Sequence, residues 1–214
     1  MTSQGSTAQR MIGLTIPMPE HLDVRIRQIR CSVADPLSDV PAHLTLVGPT
    51  LVEGAQVEVI CQALSERLRS QAPFCLQWRY VGSFAPRNPV VYLAPGSGRS
   101  ECMELEGAIR SAHPALAQAR FPFQPHVTLA HVPRADALAR AAQIGAELVD
   151  SMRGAAGFPD VSGCPGARGY DHDGGACVRV TEVALDELTQ VEGGPLGLYR
   201  TAPLARLALG GGQA

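Results

Sequence analysis

The sequence predicts an α+β fold made of two similar halves. Three observations carry that expectation. Strand-like and helix-like stretches alternate in the same order twice along the 214 residues. A short apolar strand bearing histidine and threonine stands at matching places in both runs, HLTL at 43–46 and HVTL at 126–129. The 45% of residues that are hydrophobic are spread through the chain, enough for one sizeable core, with no run near the roughly 20 apolar residues of a membrane span.

The first half opens with an apolar strand at 12–16, stopped by Pro17 and Pro19. A helix is expected over 21–31. A short strand at 43–47 closes at Gly48–Pro49. Residues 56–70 read as an amphipathic helix with Val59, Ala63, Leu64 and Leu68 on one stripe, and 74–81 alternates as a strand. The second half repeats the order: a strand at 90–93, a helix over 102–119 broken or kinked at Pro114, and a strand at 126–132 entered through Pro125. A helix follows at 136–152, carried by Ala137, Leu138, Ala141, Ile144 and Leu148. The Gly-, Pro-, Asp- and Ser-rich stretch 153–176 reads as a long mobile loop. Stretches 178–185 and 198–209 supply the last strands. From opening strand to histidine is 31 residues in the first half (12 to 43) and 36 in the second (90 to 126). The lobes are therefore placed at 11–82 and 88–209, with loose tails at 1–10 and 210–214.

All 18 basic residues are arginine, and the formal net charge is −2. Without lysine there is no Schiff-base chemistry and no P-loop lysine. A near-neutral chain lacks the broad positive field of a general nucleic-acid binder, whereas a small anion or an RNA end needs only a few directed donors. Residues 1–10 are polar and do not read as a signal peptide. The six cysteines contain no C-x-x-C pair and read as small buried hydrophobes of a reducing cytoplasm. Cys164, His172 and Cys177 share a loop, but their spacing fits no standard zinc set.

The two H-x-T strands carry the chemistry. Side chains alternate faces along a strand. His43, Thr45 and Val47 are therefore expected on one face, with Leu44 and Leu46 on the other. His126, Thr128 and Ala130 are likewise expected to share a face opposite Val127 and Leu129. One such strand is an ordinary half-buried strand with a satisfied histidine; the same pattern at matching places in two halves is a site. Imidazoles titrate near neutrality, so one can accept a proton from water while the other gives one to a departing oxygen. Threonine hydroxyls can hold the non-bridging oxygens of a phosphate. A strained cyclic phosphodiester suits such a metal-free pair.

With HLTLVGP (43–49) and PHVTLAHV (125–132), set beside VGSFAP (81–86), PVVYLAP (89–95) and FPFQPH (121–126), the chain resembles the two-histidine (2H) phosphoesterase superfamily, especially its 2′-5′ RNA ligase and RNA 2′,3′-cyclic phosphodiesterase branch. The resemblance covers about residues 10–150. It implies a bilobal, pseudo-twofold fold with two antiparallel or mixed sheets flanked by helices around a central cleft. The implied activity is hydrolysis of a nucleotide or RNA 2′,3′-cyclic phosphate end to a 2′-phosphate, with reversible 2′-5′ RNA joining beside it. It implies His43 as proton donor, His126 as proton acceptor, and Thr45 and Thr128 on the phosphate, with no cofactor and no metal. A cytoplasmic monomer without membrane contact is expected.

The chain departs from this pattern at His131, where many relatives carry arginine. Arg134 is close enough in sequence to substitute. Strict alternation puts His131 on the far side from His126, as a strand-end surface residue, while the replacement marks it as a substrate contact. Phe84 is either core packing or a platform for a base. Three other functions compete: a binder of nucleotides or RNA ends without turnover, a metal-dependent hydrolase with both histidines as ligands, and a processor of long RNA. The second lacks an acidic third ligand, and the third is at odds with the charge balance.

Overall fold

Strand β1 (Gln9–Pro17) begins inside the stretch read as a tail from the sequence. It is held there by Arg10, whose guanidinium donates to both carboxylate oxygens of Glu187 at 2.7 and 2.6 Å. The structure, a computed structural model, describes residues 8–119, 121–154, 177–192 and 198–210. The expected loop 153–176 lies outside these residues except for its first two, which complete a helix, while tail residues 1–7 and 211–214 and both Cys164 and His172 also lie outside.

After Pro19, helix α1 (Glu20–Ser32) buries Leu22, Ile26 and Ile29. Strand β2 (His43–Glu53) runs on through Gly48–Pro49 instead of closing there. Helix α2 (Gln56–Leu68) buries Val57, Ile60, Leu64 and Leu68. The expected stripe is therefore partly misplaced: Val59 is 56% exposed. Strand β3 (Phe74–Ser83) is followed by β4 (Val90–Pro95), buried along its whole length. Helix α3 (Arg99–Ala112) ends at an extended His113, and Pro114 opens a separate 3-10 turn, Pro114–Leu116, rather than a kinked continuation. Strand β5 (Val127–His131) and helix α4 (Ala135–Gly154) follow. The stretch read as one strand at 178–185 is two, β6 (Cys177–Val180) and β7 (Glu182–Gln190), parted at Thr181; β8 (Tyr199–Ala208) comes last.

Every strand pairing is antiparallel, in the order β6-β3-β4-β5-β2-β1-β7-β8. The two sets of strands anticipated from the sequence meet at the centre, where Leu44 of β2 pairs with Val127 of β5. The lobes are not the sequence halves, however. The strand after α2 pairs with β4 of the second half, and β7, after α4, pairs with β1 of the first. Each half lends its last strands to the other. Helix and sheet residues, Leu44, Leu46, Val127 and Leu129 among them, form one apolar core.

Both histidine strands carry a bulge at the same place. Leu14 pairs with Val47 but Thr15 with Thr45, so Leu46 is an extra residue of β2. Val91 pairs with Ala130 but Tyr92 with Thr128, so Leu129 is an extra residue of β5. Leu46 and Val47 are each 2% exposed, and Leu129 and Ala130 are both 0%. The alternation therefore slips by one residue. Val47 and Ala130 join the core instead of sharing the histidine face, a correction to strict alternation.

One glycine supports the junction of β3 with α3. Gly98 sits at φ +82°, before the first turn of α3, and a Cβ there would meet the Cys75 carbonyl oxygen at 2.2 Å. Gly98→Ala is expected to cost about 2 kcal/mol or more. The thermal midpoint should then fall by about 4–8 °C, measured by circular dichroism.

Candidate active site

The register at the centre of the sheet assembles the site. With Leu44 opposite Val127 in an antiparallel pair, position 43 stands level with 128 and position 45 with 126. Leu44 and Val127 point into the core, so His43, Thr45, His126 and Thr128 share the opposite face. The two histidines lie on a diagonal, about 7–8 Å apart at the main chain on regular antiparallel spacing. All four line one cleft of about 250 Å³, with Arg30, Leu37, Val40, Phe84, Asn88, Val90 and His131.

Each imidazole is anchored in the same way. His43 Nδ1 lies 2.8 Å from the Pro41 carbonyl oxygen, and His126 Nδ1 lies 2.7 Å from the Gln124 carbonyl oxygen. A carbonyl only accepts, so Nδ1 carries the proton and donates it. Nε2 is then the nitrogen left for chemistry in both rings. In both motifs the acceptor is two residues upstream, so the local chain direction sets the tautomer.

Aromatic rings hold His126. Its ring centroid is 5.1 Å from Phe84 and 5.2 Å from Tyr92, both edge-on, and Phe84 and Tyr92 are 4.4 Å apart. The Gln124 side chain donates to the Tyr92 hydroxyl at 2.8 Å. Phe84 is thus both packing and cleft wall, so the two sequence readings of it are compatible.

His131 lines the cleft because the Leu129 bulge turns the strand by one residue, which overturns the far-side placement. Its backbone N–H donates to Asp35 at 2.6 Å; the other carboxylate oxygen of this buried aspartate accepts from Leu37 N–H at 2.8 Å. Arg134 is not brought to the cleft. It is exposed at the start of α4 and paired with Asp136.

Sequence reasoning missed Arg30, a buried arginine in the cleft wall. A signal existed. Leu22, Ile26, Ile29 and Val33 form the apolar stripe of α1, and Arg30 falls on that stripe, four residues after Ile26. Asp186 of β7, whose carboxyl is raised by burial, also acts on His43.

Burial is the first cause of a lowered pKa at both rings. At His43 the Pro41 carbonyl opposes it, Arg30 adds to it, Asp186 opposes it and His126 adds to it. At His126 the Gln124 carbonyl opposes it. In the free protein both rings are therefore biased toward the neutral form, with Nε2 lone pairs available. Among the described residues no three His, Cys, Asp or Glu side chains are grouped to hold a metal, and no helix among them is long and apolar enough to cross a membrane.

A family model described as the 2′-5′ RNA ligase superfamily matches residues 18–152. A Bacillus pumilus protein named "Putative phosphoesterase" is 31% identical over 91 residues, 42% of this chain and 52% of that one. A Bacillus cytotoxicus protein, also named a putative phosphoesterase, is 36% identical over 93 residues, again 42% and 52%. The chain spans about half the length of these curated relatives in the matched regions. Among solved structures, E. coli LigT complexed with 3′-AMP superposes with TM-score 0.61 at 22% identity, over 94% of this chain and 99% of that one. TT0787 of Thermus thermophilus gives 0.59 at 16% identity, over 95% and 100%. These two likenesses are likenesses of fold.

The lowered pKa values predict two measurements. In NMR titrations the ring signals of His43 and His126 should both have midpoints below the ordinary value of about 6.5. Each folded ring binds its proton more weakly than in the unfolded chain. Its contribution to stability is therefore full above about pH 6.5 and is lost as pH falls toward the folded value. The thermal midpoint should drop between about pH 7.5 and pH 5.5, and drop less in His126→Gln.

Proposed function

The chain belongs to the 2′-5′ RNA ligase superfamily of two-histidine phosphoesterases, and on that premise we propose that its cleft hydrolyses nucleotide or RNA 2′,3′-cyclic phosphate ends to 2′-phosphates without a metal. One observation carries this reading: two imidazoles, each anchored through Nδ1, face one cleft beside two threonines.

That geometry supports the following reaction. A cyclic phosphate bound between the rings has its non-bridging oxygens near the Thr45 and Thr128 hydroxyls. His126 Nε2 takes a proton from water as the water oxygen bonds to phosphorus. The bond from phosphorus to the 3′-oxygen breaks on the other side, and protonated His43 gives its proton to that oxygen. Both rings are biased toward the neutral form in the free protein, and the negative phosphate beside His43 favours the charged form that the donor needs. With an RNA 5′-hydroxyl in place of water, the same step breaks the bond to the 3′-oxygen and joins the ends 2′-5′ without a nucleotide cofactor; when that joining runs backward the rings exchange roles. Two features of the walls support a nucleotide as substrate. Phe84 lines the cleft and can stack on a base, and His131 lines the same cleft with a ring able to donate to a phosphate or ribose. E. coli LigT has been crystallised with 3′-AMP, ATP and NADP+, which favours the same ligand class.

Incubation with 2′,3′-cyclic nucleotides and cyclic-ended oligonucleotides in EDTA tests the proposal. Turnover to the 2′-phosphate should persist in chelator, with a bell-shaped pH–rate curve. His43→Ala and His126→Ala should each lose about 100- to 10,000-fold in kcat with the fold intact by circular dichroism. Phe84→Ala should raise KM about 5- to 100-fold for substrates carrying a base. A flat pH profile, or near-normal turnover in either histidine variant, removes the mechanism.

A further inference from the structure

The pseudo-twofold relation of the halves extends to a pair of arginines with different fates. Arg30 and Arg110 are each third from the end of their helices, α1 and α3. Each sends its guanidinium to main-chain carbonyls of the segment leading to its histidine strand. Arg30 donates to Val40 at 2.6 Å and Leu37 at 3.3 Å, and Arg110 donates to Leu116 at 2.9 Å and Gln118 at 2.8 Å. Four residues upstream the halves diverge. Arg110 is paired with Glu106, while the matching position before Arg30 is Ile26, fully buried.

Arg30 therefore keeps its charge. It is 2% exposed, lines the cleft, and donates to the Thr128 carbonyl oxygen at 2.7 Å, directly behind the second motif. Its buried Nε has no hydrogen-bond partner. Among the described residues its hydrogen bonds go to main-chain oxygens. Asp35 and Asp23 act on it through space, but their hydrogen bonds go elsewhere: Asp35 accepts from Leu37 and His131 backbone N–H groups, and Asp23 accepts from Ala42 N–H and pairs with Arg27. A buried cation that, among the described residues, hydrogen-bonds to no carboxylate is only partly compensated, and an anion brought into the cleft lowers that cost.

We propose that Arg30 is the built-in countercharge of the cleft, a positioning residue whose guanidinium, clamped behind the second motif strand, draws the phosphate of the substrate between the two histidines. The proposal rests on the phosphoesterase reading of the cleft and supplies the fixed positive charge that neither His131 nor the distant Arg134 provides. It also makes the two histidines unequal, because the charge acts on His43. The other charged or titratable groups around His43 are Asp186 from β7, His126 and His131 from the second motif, and Asp23, Arg27 and Asp35 beside Arg30.

The test uses the full chain and inorganic phosphate as probe. Arg30→Gln removes the charge. Ile26→Glu neutralises it in place, as Glu106 does for Arg110. Arg30→Lys keeps it, and Arg110→Met is the control from the other half. By calorimetry near pH 7, Arg30→Gln and Ile26→Glu should bind phosphate about tenfold or more weakly. Arg30→Lys should stay within about threefold, and Arg110→Met should bind normally however much its thermal midpoint falls. The His43 NMR midpoint should move to higher pH in the two neutralised variants and stay in place in Arg30→Lys. A folded neutral variant with wild-type phosphate affinity and His43 midpoint overturns the proposal, as does a wild type that binds no phosphate. If neither neutral variant folds, Arg30 is structural and the proposal falls. A wild type that shows Arg30-dependent phosphate binding but hydrolyses no cyclic phosphate sinks only the phosphoesterase reading; turnover indifferent to Arg30 sinks only this one.

Discussion

The pairing of Leu44 with Val127 is the constraint on which the rest depends. It is one contact between two strands, yet it sets the register of the motifs and the face each residue occupies. Because both residues are fully buried, the face opposite them carries the histidines and threonines. A slip of one residue would turn a whole motif into the core. The hydrophobic residues between the polar ones thus locate the site as firmly as the polar ones do.

Around that seam the two halves are alike in backbone and unlike in chemistry. Both motif strands bulge after the threonine, and both histidines lean on a carbonyl two residues back. The differences lie in what surrounds them. His126 is framed by Phe84 and Tyr92, whereas His43 feels the opposed charges of Arg30 and Asp186. Symmetry gives two similar rings, and the neighbours tell them apart.

Most of the fold, and the four motif residues that line the cleft, were legible in the sequence because periodicity and proline placement are local signals. Alternation set His43 and Thr45 against Leu44 and Leu46 without reference to any other strand. What could not be read depended on partners distant in the chain. The bulges at Leu46 and Leu129 exist only relative to β1 and β4, so Val47, Ala130 and His131 were assigned to the wrong faces. The break at Thr181 is invisible in a continuous apolar stretch, because β6 and β7 differ in the strand each joins rather than in composition. Arg30 was overlooked for a different reason. A basic residue near a helix end has an ordinary explanation in the helix dipole, and only its place on the apolar stripe argued otherwise.

The exchange of strands between halves has a consequence for how the chain is made. Ribosomal synthesis proceeds from the N-terminus, so β1 and β2 emerge long before β7, the eventual neighbour of β1 on its far side. Until residues 182–190 have left the exit tunnel, β1 presents an open, unpaired edge, and the carboxylate of Asp186 is missing from beside the first imidazole. One edge open to association with other nascent chains is therefore that of the strand beside the first histidine motif.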